Sequence, residues 1–171
     1  MFFGYAVNAT AQVKTTDSVF IHHSRPIEFI VNKIDISADD RRWITDSLIP
    51  ELKALGDRGI VLGRATASPE GPYDNNVRLS RERRASMDVL LKSYGINTNR
   101  IRYDVVAEDY PLLHTLMWLQ HDEKLAVVDS LIKRYEGNQA QLKKAMKAYD
   151  RGRLWQYILK RYFPRLRAVR I

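Results

Sequence analysis

Between Gly63 and Arg83 the chain gathers side chains suited to holding a small polar molecule. Thr66 and Ser68 offer hydroxyls, Glu70 a carboxylate, Asn76 an amide and Arg83 a planar guanidinium. A guanidinium grips a carboxylate through two parallel hydrogen bonds, which a point charge such as lysine cannot reproduce. The pattern therefore points to recognition of a carboxylate rather than to bond-making. Each residue also has a plain structural reading. Arg83 sits among Arg81, Glu82 and Arg84, where helical i,i+4 pairing is the common use of such residues. Asn76 suits a helix cap, and Ser68-Pro69-Glu70-Gly71 is good turn chemistry with no ligand.

Catalytic and metal chemistry find little support. The four histidines, His22, His23, His114 and His121, show no metal-ligand spacing with one another or with carboxylates, and cysteine is absent. Ser80 lies in no nucleophile-elbow pattern. Asp39-Asp40 and Glu108-Asp109 are adjacent pairs, and neighbours on a helix point in different directions. The expectation is a protein that is not an enzyme and uses neither a metal nor a cofactor.

The elements that must position the polar residues follow from apolar spacing. Ile60-Val61-Leu62 reads as a buried strand ending at Gly63, and Gly71-Pro72 breaks the chain. A helix then starts near Asn76 or Ser80, with Leu79, Met87, Leu90, Leu91 and Tyr94 on one face. Upstream, Ser37 and Asp40 form a helix start, followed by Ile44, Leu48, Leu52 and Leu55, with Pro50 a potential kink and Gly56 the end. Downstream, the chain beyond about residue 110 returns to the sheet at Leu166 to Arg170. Between these points the apolar sets Leu125/Val128/Ile132, Leu142/Met146/Tyr149 and Leu154 to Phe163 have helical spacing, the last stopped by Pro164. These elements predict an α/β sandwich: a mixed sheet with helices on one face and a helical insertion over about 110–163 inside a single domain, 24–171.

At 45% apolar and 28% charged residues, the 171-residue chain has the makeup of a globular domain. Its net charge of +8 is uneven, with 9 Lys and Arg against 10 Asp and Glu over residues 1–78 but 19 against 10 over 79–171. A basic half suits an anionic polymer, a membrane surface or nucleic acid. Trp155, Tyr157, Tyr162 and Phe163 are interleaved with Arg153, Lys160 and Arg161, but rings on a helix more often face a core than stack on bases. Residues 1–23, with an apolar run and the small residues Ala9 and Ala11, read either as the remnant of an export signal or as an unstructured N-terminal extension with chance alanines.

The strand-loop-helix stretch resembles the OmpA-like domain family of bacterial envelope proteins. The match is carried by Gly63, Asn76-x-x-Leu79-Ser80-x-x-Arg83, Met87, Leu91 and Gly95-Ile96. Its order of elements agrees over about residues 26–108 and again at 166–170: Phe29 to Ile36, whose exit carries Asn32 and Asp35, looks like the family's first strand, and Arg100 to Val106 sits where its third strand belongs. The resemblance implies a βαβαβ core and a non-catalytic module that binds a peptidoglycan stem peptide through its diaminopimelate residue. It further implies a periplasmic, outer-membrane-associated location, anchoring of the envelope to the cell wall, and no nucleic-acid partner. Arg83 would hold the ligand carboxylate, with Asn76, Thr66, Ser68 and Asn32 around it. The family places an aspartate shortly after the strand glycine to hold the ligand amine; here Ala65 and Thr66 occupy that region and the loop is about two residues longer. Glu70 is the nearest replacement, and Ser-Pro-Glu-Gly loops also occur in OmpA-like proteins of Bacteroides-type bacteria. The alternative is a scaffold of this fold that has lost wall binding and docks other envelope proteins through the insertion. A basic nucleic-acid-binding domain ranks below both.

Overall fold

The computed structural model describes residues 25–56 and 60–171. The export remnant expected over 1–23, with His22 and His23, lies outside the described residues. Four strands, β1 (Ile27–Glu28), β2 (Val61–Thr66), β3 (Ile101–Val106) and β4 (Ala168–Arg170), form one sheet in the order β1-β4-β2-β3. β2 and β3 run parallel, whereas β4 is antiparallel to both β1 and β2, so the sheet is mixed as expected. Gly63 faces Tyr103 across the parallel pair, and a Cβ at this glycine would stand 2.6 Å from the tyrosine ring. Only a residue without a side chain lets that ring lie across the strand.

Four boundaries differ from expectation. β2 does not end at Gly63 but continues to Thr66, and its expected buried run is open to solvent, with Ile60 52% and Leu62 73% exposed, while burial falls on Ala65 and Thr66. The first strand occupies Ile27–Glu28 rather than Phe29 to Ile36, because the chain turns almost at once. Phe29 N still donates to Arg167 O at 2.7 Å, but Asn32 adopts a left-handed φ of 56° and Lys33 N closes onto Ile30 O. The long helix α3 (Tyr73–Ser93) starts before Asn76, which is therefore not its cap. Pro164 does not end the terminal helix either.

The first helical stretch runs as α1 (Ala38–Trp43), a π turn (Ile44–Leu48) and α2 (Ile49–Leu55). Ser37 caps it, its Oγ accepting from Asp40 N at 3.0 Å and donating to Asp40 Oδ2 at 2.8 Å. Pro50 has no N–H to continue the ladder, and one residue earlier Ile49 N reaches back five residues to Ile44 O. The strain is absorbed by a wide turn. α3 spans Tyr73–Ser93, with Pro72 just ahead of it at φ −59°, a conformation proline supplies without cost.

The segment between β3 and β4 is helical: α4 (Tyr110–Leu119), α5 (Leu125–Arg134), α6 (Gln139–Ala148), α7 (Arg153–Arg161) and α8 (Phe163–Leu166). α4 was not resolved as a separate element by apolar spacing. It is capped by Asp109, whose Oδ1 accepts from Leu112 N. Pro164 stands in the first turn of α8, where its missing N–H has no partner to lose.

Two buried apolar clusters result. Ile27, Phe29, Ile44, Leu48, Met87, Leu91, Ile101 and Val169 pack between the sheet and the helices α1 to α3. Leu113, Met117, Val128, Met146, Ile158, Tyr162, Phe163 and Leu166 pack within the insertion. Each such side chain contributes roughly 1.5–3 kcal/mol on burial. The insertion also holds the buried carboxylate Asp122, which accepts from the hydroxyls of Tyr157, at 2.5 Å, and Tyr162, and from Lys124 N.

Candidate functional site

Three of the predicted site residues, Arg83, Ser68 and Glu70, come together where β2 ends, in two layers. Arg83 forms the inner one. It projects from α3 under the loop that follows β2 and is fully buried. Its Nη1 donates to Thr66 O at 3.2 Å, its Nε to Lys33 O at 3.2 Å and its Nη2 to Ile30 O at 3.3 Å. The guanidinium lies 5.1 Å from the centre of the Phe29 ring. The group is thus a clamp between the turn after β1 and the end of β2, not an open fork. Burial, followed by the nearby Arg167 guanidinium, lowers its pKa to about 10, opposed by the Glu70 carboxylate.

Glu70 and Arg167 form the outer layer. Arg167 Nη1 meets Glu70 Oε1 at 2.6 Å, while its Nε donates to Phe29 O at 3.2 Å. Ser68 Oγ donates to the same Glu70 oxygen at 2.8 Å. The Glu70 and Arg167 side chains retain 23% and 13% of their exposure, against none for Arg83, so solvent meets the ion pair first. Two guanidiniums face one carboxylate here, leaving a positive excess in a poorly hydrated corner. Such a corner favours an added anion.

The remaining predicted residues are engaged elsewhere. Thr66 Oγ1 is turned to the last strand, 2.5 Å from Leu166 O and 3.2 Å from Ala168 O. Asn76 lies buried within the first turns of α3, its Nδ2 donating to Glu108 Oε1 at 2.8 Å and to Gly71 O at 3.3 Å. Its backbone N–H bonds Pro72 O, so the amide fastens the loop rather than capping the helix. Asn32 stays exposed at its left-handed turn and accepts from Asn75 Nδ2 at 3.1 Å. Asp35 is exposed beyond it.

Lys143, Glu108 and Arg167 also belong to this neighbourhood, and the sequence pattern does not point to them. Lys143, on α6, donates to the same two acceptors as Asn76, at 2.7 Å to Glu108 Oε1 and 2.5 Å to Gly71 O. Tyr110 OH reaches the other Glu108 oxygen. The insertion therefore holds the loop from behind through Lys143 and Glu108. Arg167 is the third, and its only signal is register: β2 and β4 pair Ala65 with Val169, which carries Arg167 alongside the start of the Ser68 to Glu70 loop.

Among the described residues no three His, Cys, Asp or Glu side chains are grouped to hold a metal, and no helix is long and apolar enough to cross a membrane. No family model and no curated protein matches this chain. Among solved structures it is similar to the crystal structure of the peptidoglycan-associated lipoprotein from Burkholderia pseudomallei, at 17% identity and a TM-score of 0.42, over 48% of this chain and 68% of that one. The α/β arrangement described above stands on this chain's own strand pairing and packing.

Proposed function

We propose that this domain is a non-catalytic binding module of the bacterial envelope that holds a stem peptide of peptidoglycan, through its diaminopimelate residue, above the end of β2. The observation that supports this reading is the excess of guanidinium over carboxylate where Arg83, Arg167 and Glu70 meet. A ligand carboxylate entering this corner displaces Glu70 from Arg167, and the freed Glu70 then faces the ligand ammonium. Arg83 contributes its field from beneath and keeps the two flanking turns in place. The ligand thus replaces one internal ion pair by two, without exposing the buried clamp.

A second reading has its own observation. Arg83 is fully buried and bonded to three carbonyls of its own chain, as a structural tie would be. On that reading the domain is an envelope scaffold without wall affinity.

Titration with a diaminopimelate-containing muropeptide, followed by amide NMR, separates the two. Saturable shifts at residues 66–70 and at Arg167, weakened when the ligand amine is acetylated, are the expected result. Absence of any perturbation there at millimolar ligand would establish the scaffold reading. Retention on insoluble peptidoglycan should also survive moderate salt, because charge alone is screened.

A further inference from the structure

The proposed ligand corner uses none of the charge on α6 and α7, which together carry six Lys and Arg and no acidic residue. Residues 139–171 contain ten Lys and Arg against a single acidic residue, Asp150. Lys143 is turned inward to Glu108 and Gly71 O, so it does not belong to the surface. Lys144, Lys147, Arg151, Arg153 and Lys160 remain on the outside. On α6, Ala140, Lys144 and Lys147 follow one helical stripe; on α7, Arg153, Gln156 and Lys160 follow another.

Two shallow depressions lie on these stripes. One, of about 460 Å³, is lined by Arg151, Arg153, Gln156, Tyr157 and Lys160 around Gly152. The other, of about 490 Å³, is lined by Lys144 and Lys147 with Ala140, Ala148 and the stem of Lys143. Neither lining includes a carboxylate. Asp150 stands beside Arg153 at 3.8 Å, too long for a tight pair. Lys147 Nζ sits 4.9 Å from the centre of the Trp155 ring, which joins the α6 stripe to α7. Asp150, Arg151 and Gly152 are all left-handed, with φ of 48°, 55° and 87°, and this tight turn sets the two helices side by side with Arg151 outward.

We propose that the outer faces of α6 and α7 form a docking surface for an anionic phospholipid bilayer. The surface is open and shallow, which suits a plane of phosphate headgroups better than a strand threaded through a groove. Single-stranded nucleic acid needs successive rings on which bases stack. Here Trp155, Tyr162 and Phe163 are buried in the insertion core, and Tyr157 is turned to Asp122. Tyr149, 43% exposed at the turn, is an aromatic of the kind that sits at the headgroup level of a membrane. The apolar side of α7, Leu154, Trp155 and Ile158, faces the core, so the domain rests on the bilayer by charge and does not insert.

Cosedimentation of the whole protein with vesicles tests this. Vesicles of phosphatidylglycerol and phosphatidylcholine should retain it at low salt, whereas phosphatidylcholine alone should not, and retention should fall as salt rises. Each removed surface cation is expected to weaken partition about fivefold, so Lys144→Gln, Arg153→Gln and Lys160→Gln together should weaken it about a hundredfold. A second triple variant, Arg42→Gln, Lys53→Gln and Lys92→Gln, has the same net charge but changes exposed residues away from this face, and should bind within a few fold of the parent. Circular dichroism establishes that both variants keep their helices. Equal loss in the two variants would overturn the proposal in favour of net charge. So would equal retention on neutral vesicles, or a DNA duplex that strips the protein from anionic vesicles at the same salt.

Discussion

Around the sheet, charge is folded inward: Arg83 is buried beneath a loop, Glu70 and Arg167 are paired over it, and Glu108 is enclosed by Asn76, Tyr110 and Lys143. In the insertion the arrangement is reversed, with an apolar centre and an outer face of Lys and Arg. The two regions share no buried apolar residue between their clusters. Besides the packing of α8 against β1, polar ties join them: Lys143 to Gly71 O, Thr66 to Leu166 O, and Arg64 to Asp109. Substitutions in the apolar centre of the insertion should therefore act on stability, those in the sheet's polar interior on both stability and wall-peptide binding, and those on the outer helices on neither of these but on bilayer binding alone.

The largest effect is expected in the insertion core. Phe163 is fully buried, with its ring edge-on to Trp155 at 5.0 Å, and Phe163→Ala should lower stability by about 3–5 kcal/mol. Chemical denaturation read separately through the α/β half and the insertion shows whether the two lose structure together. A single shared transition would mean that the polar ties and the α8 packing couple the halves into one unit.

Arg83→Met comes next. It strips the carbonyls of Ile30, Lys33 and Thr66 of their donor, at a cost of about 3 kcal/mol, measurable by urea denaturation. Loss of wall binding in this variant would not by itself show contact with a ligand. Arg167→Gln is the cleaner test of binding, because its guanidinium is accessible and the clamp below remains intact. It should abolish binding while shifting stability by only about 1 kcal/mol. A destabilisation as large as that of Arg83→Met would erase the distinction between the layers.

Lys143→Met leaves Glu108 with Asn76 and Tyr110 as donors and should cost about 2 kcal/mol, loosening the loop as well as the insertion. Hydrogen exchange at Gly71 reads that loosening directly.

The smallest effect is a pH dependence. Burial pushes the Asp122 carboxyl up, but hydrogen bonds from Tyr157, Tyr162 and the Lys124 backbone, with the charge of Arg161, outweigh it and hold its pKa below the ordinary value. A carboxylate with a lowered folded pKa adds stability above its unfolded pKa, and that contribution is lost as pH falls through the folded pKa. Acidification from neutral pH should lower the insertion's denaturation midpoint, and Asp122→Asn should flatten that dependence. An unchanged slope in the variant would assign the acid sensitivity to the sheet half.

Apolar spacing made α3 and most of the insertion legible, because each buries one face with a sustained helical period. β2 was less so: the apolar Leu62 is 73% exposed, and burial falls on Ala65 and Thr66 beyond Gly63, where small and polar residues give no apolar run to read. The first strand was less legible. Its apolar residues Phe29 and Ile30 continue past Glu28, yet the left-handed Asn32 turns the chain, and that preference competes with strand propensity only locally. α4 was hidden because Tyr110 to Leu119 is apolar nearly all round, which gives no stripe to read. At the site, Arg83 and Glu70 were identifiable by type and position. Arg167, Lys143 and Glu108 were not, since they reach the loop through strand register and tertiary packing over long sequence separations.

The position of β4 governs how the molecule is assembled during synthesis. β4 lies between β1 and β2, and β1 has no other neighbour in the sheet, yet β4 is the last of the described elements to leave the ribosome. Until it emerges, β2 and β3 can pair but one side of β2 stays open, and β1 waits with nothing to join. Docking of Ala168 to Arg170 then completes the sheet, and it delivers Arg167 to Glu70 in the same event. The polar corner above β2 therefore cannot form on a nascent chain, and any ligand that uses it is recognised only after the final strand has closed.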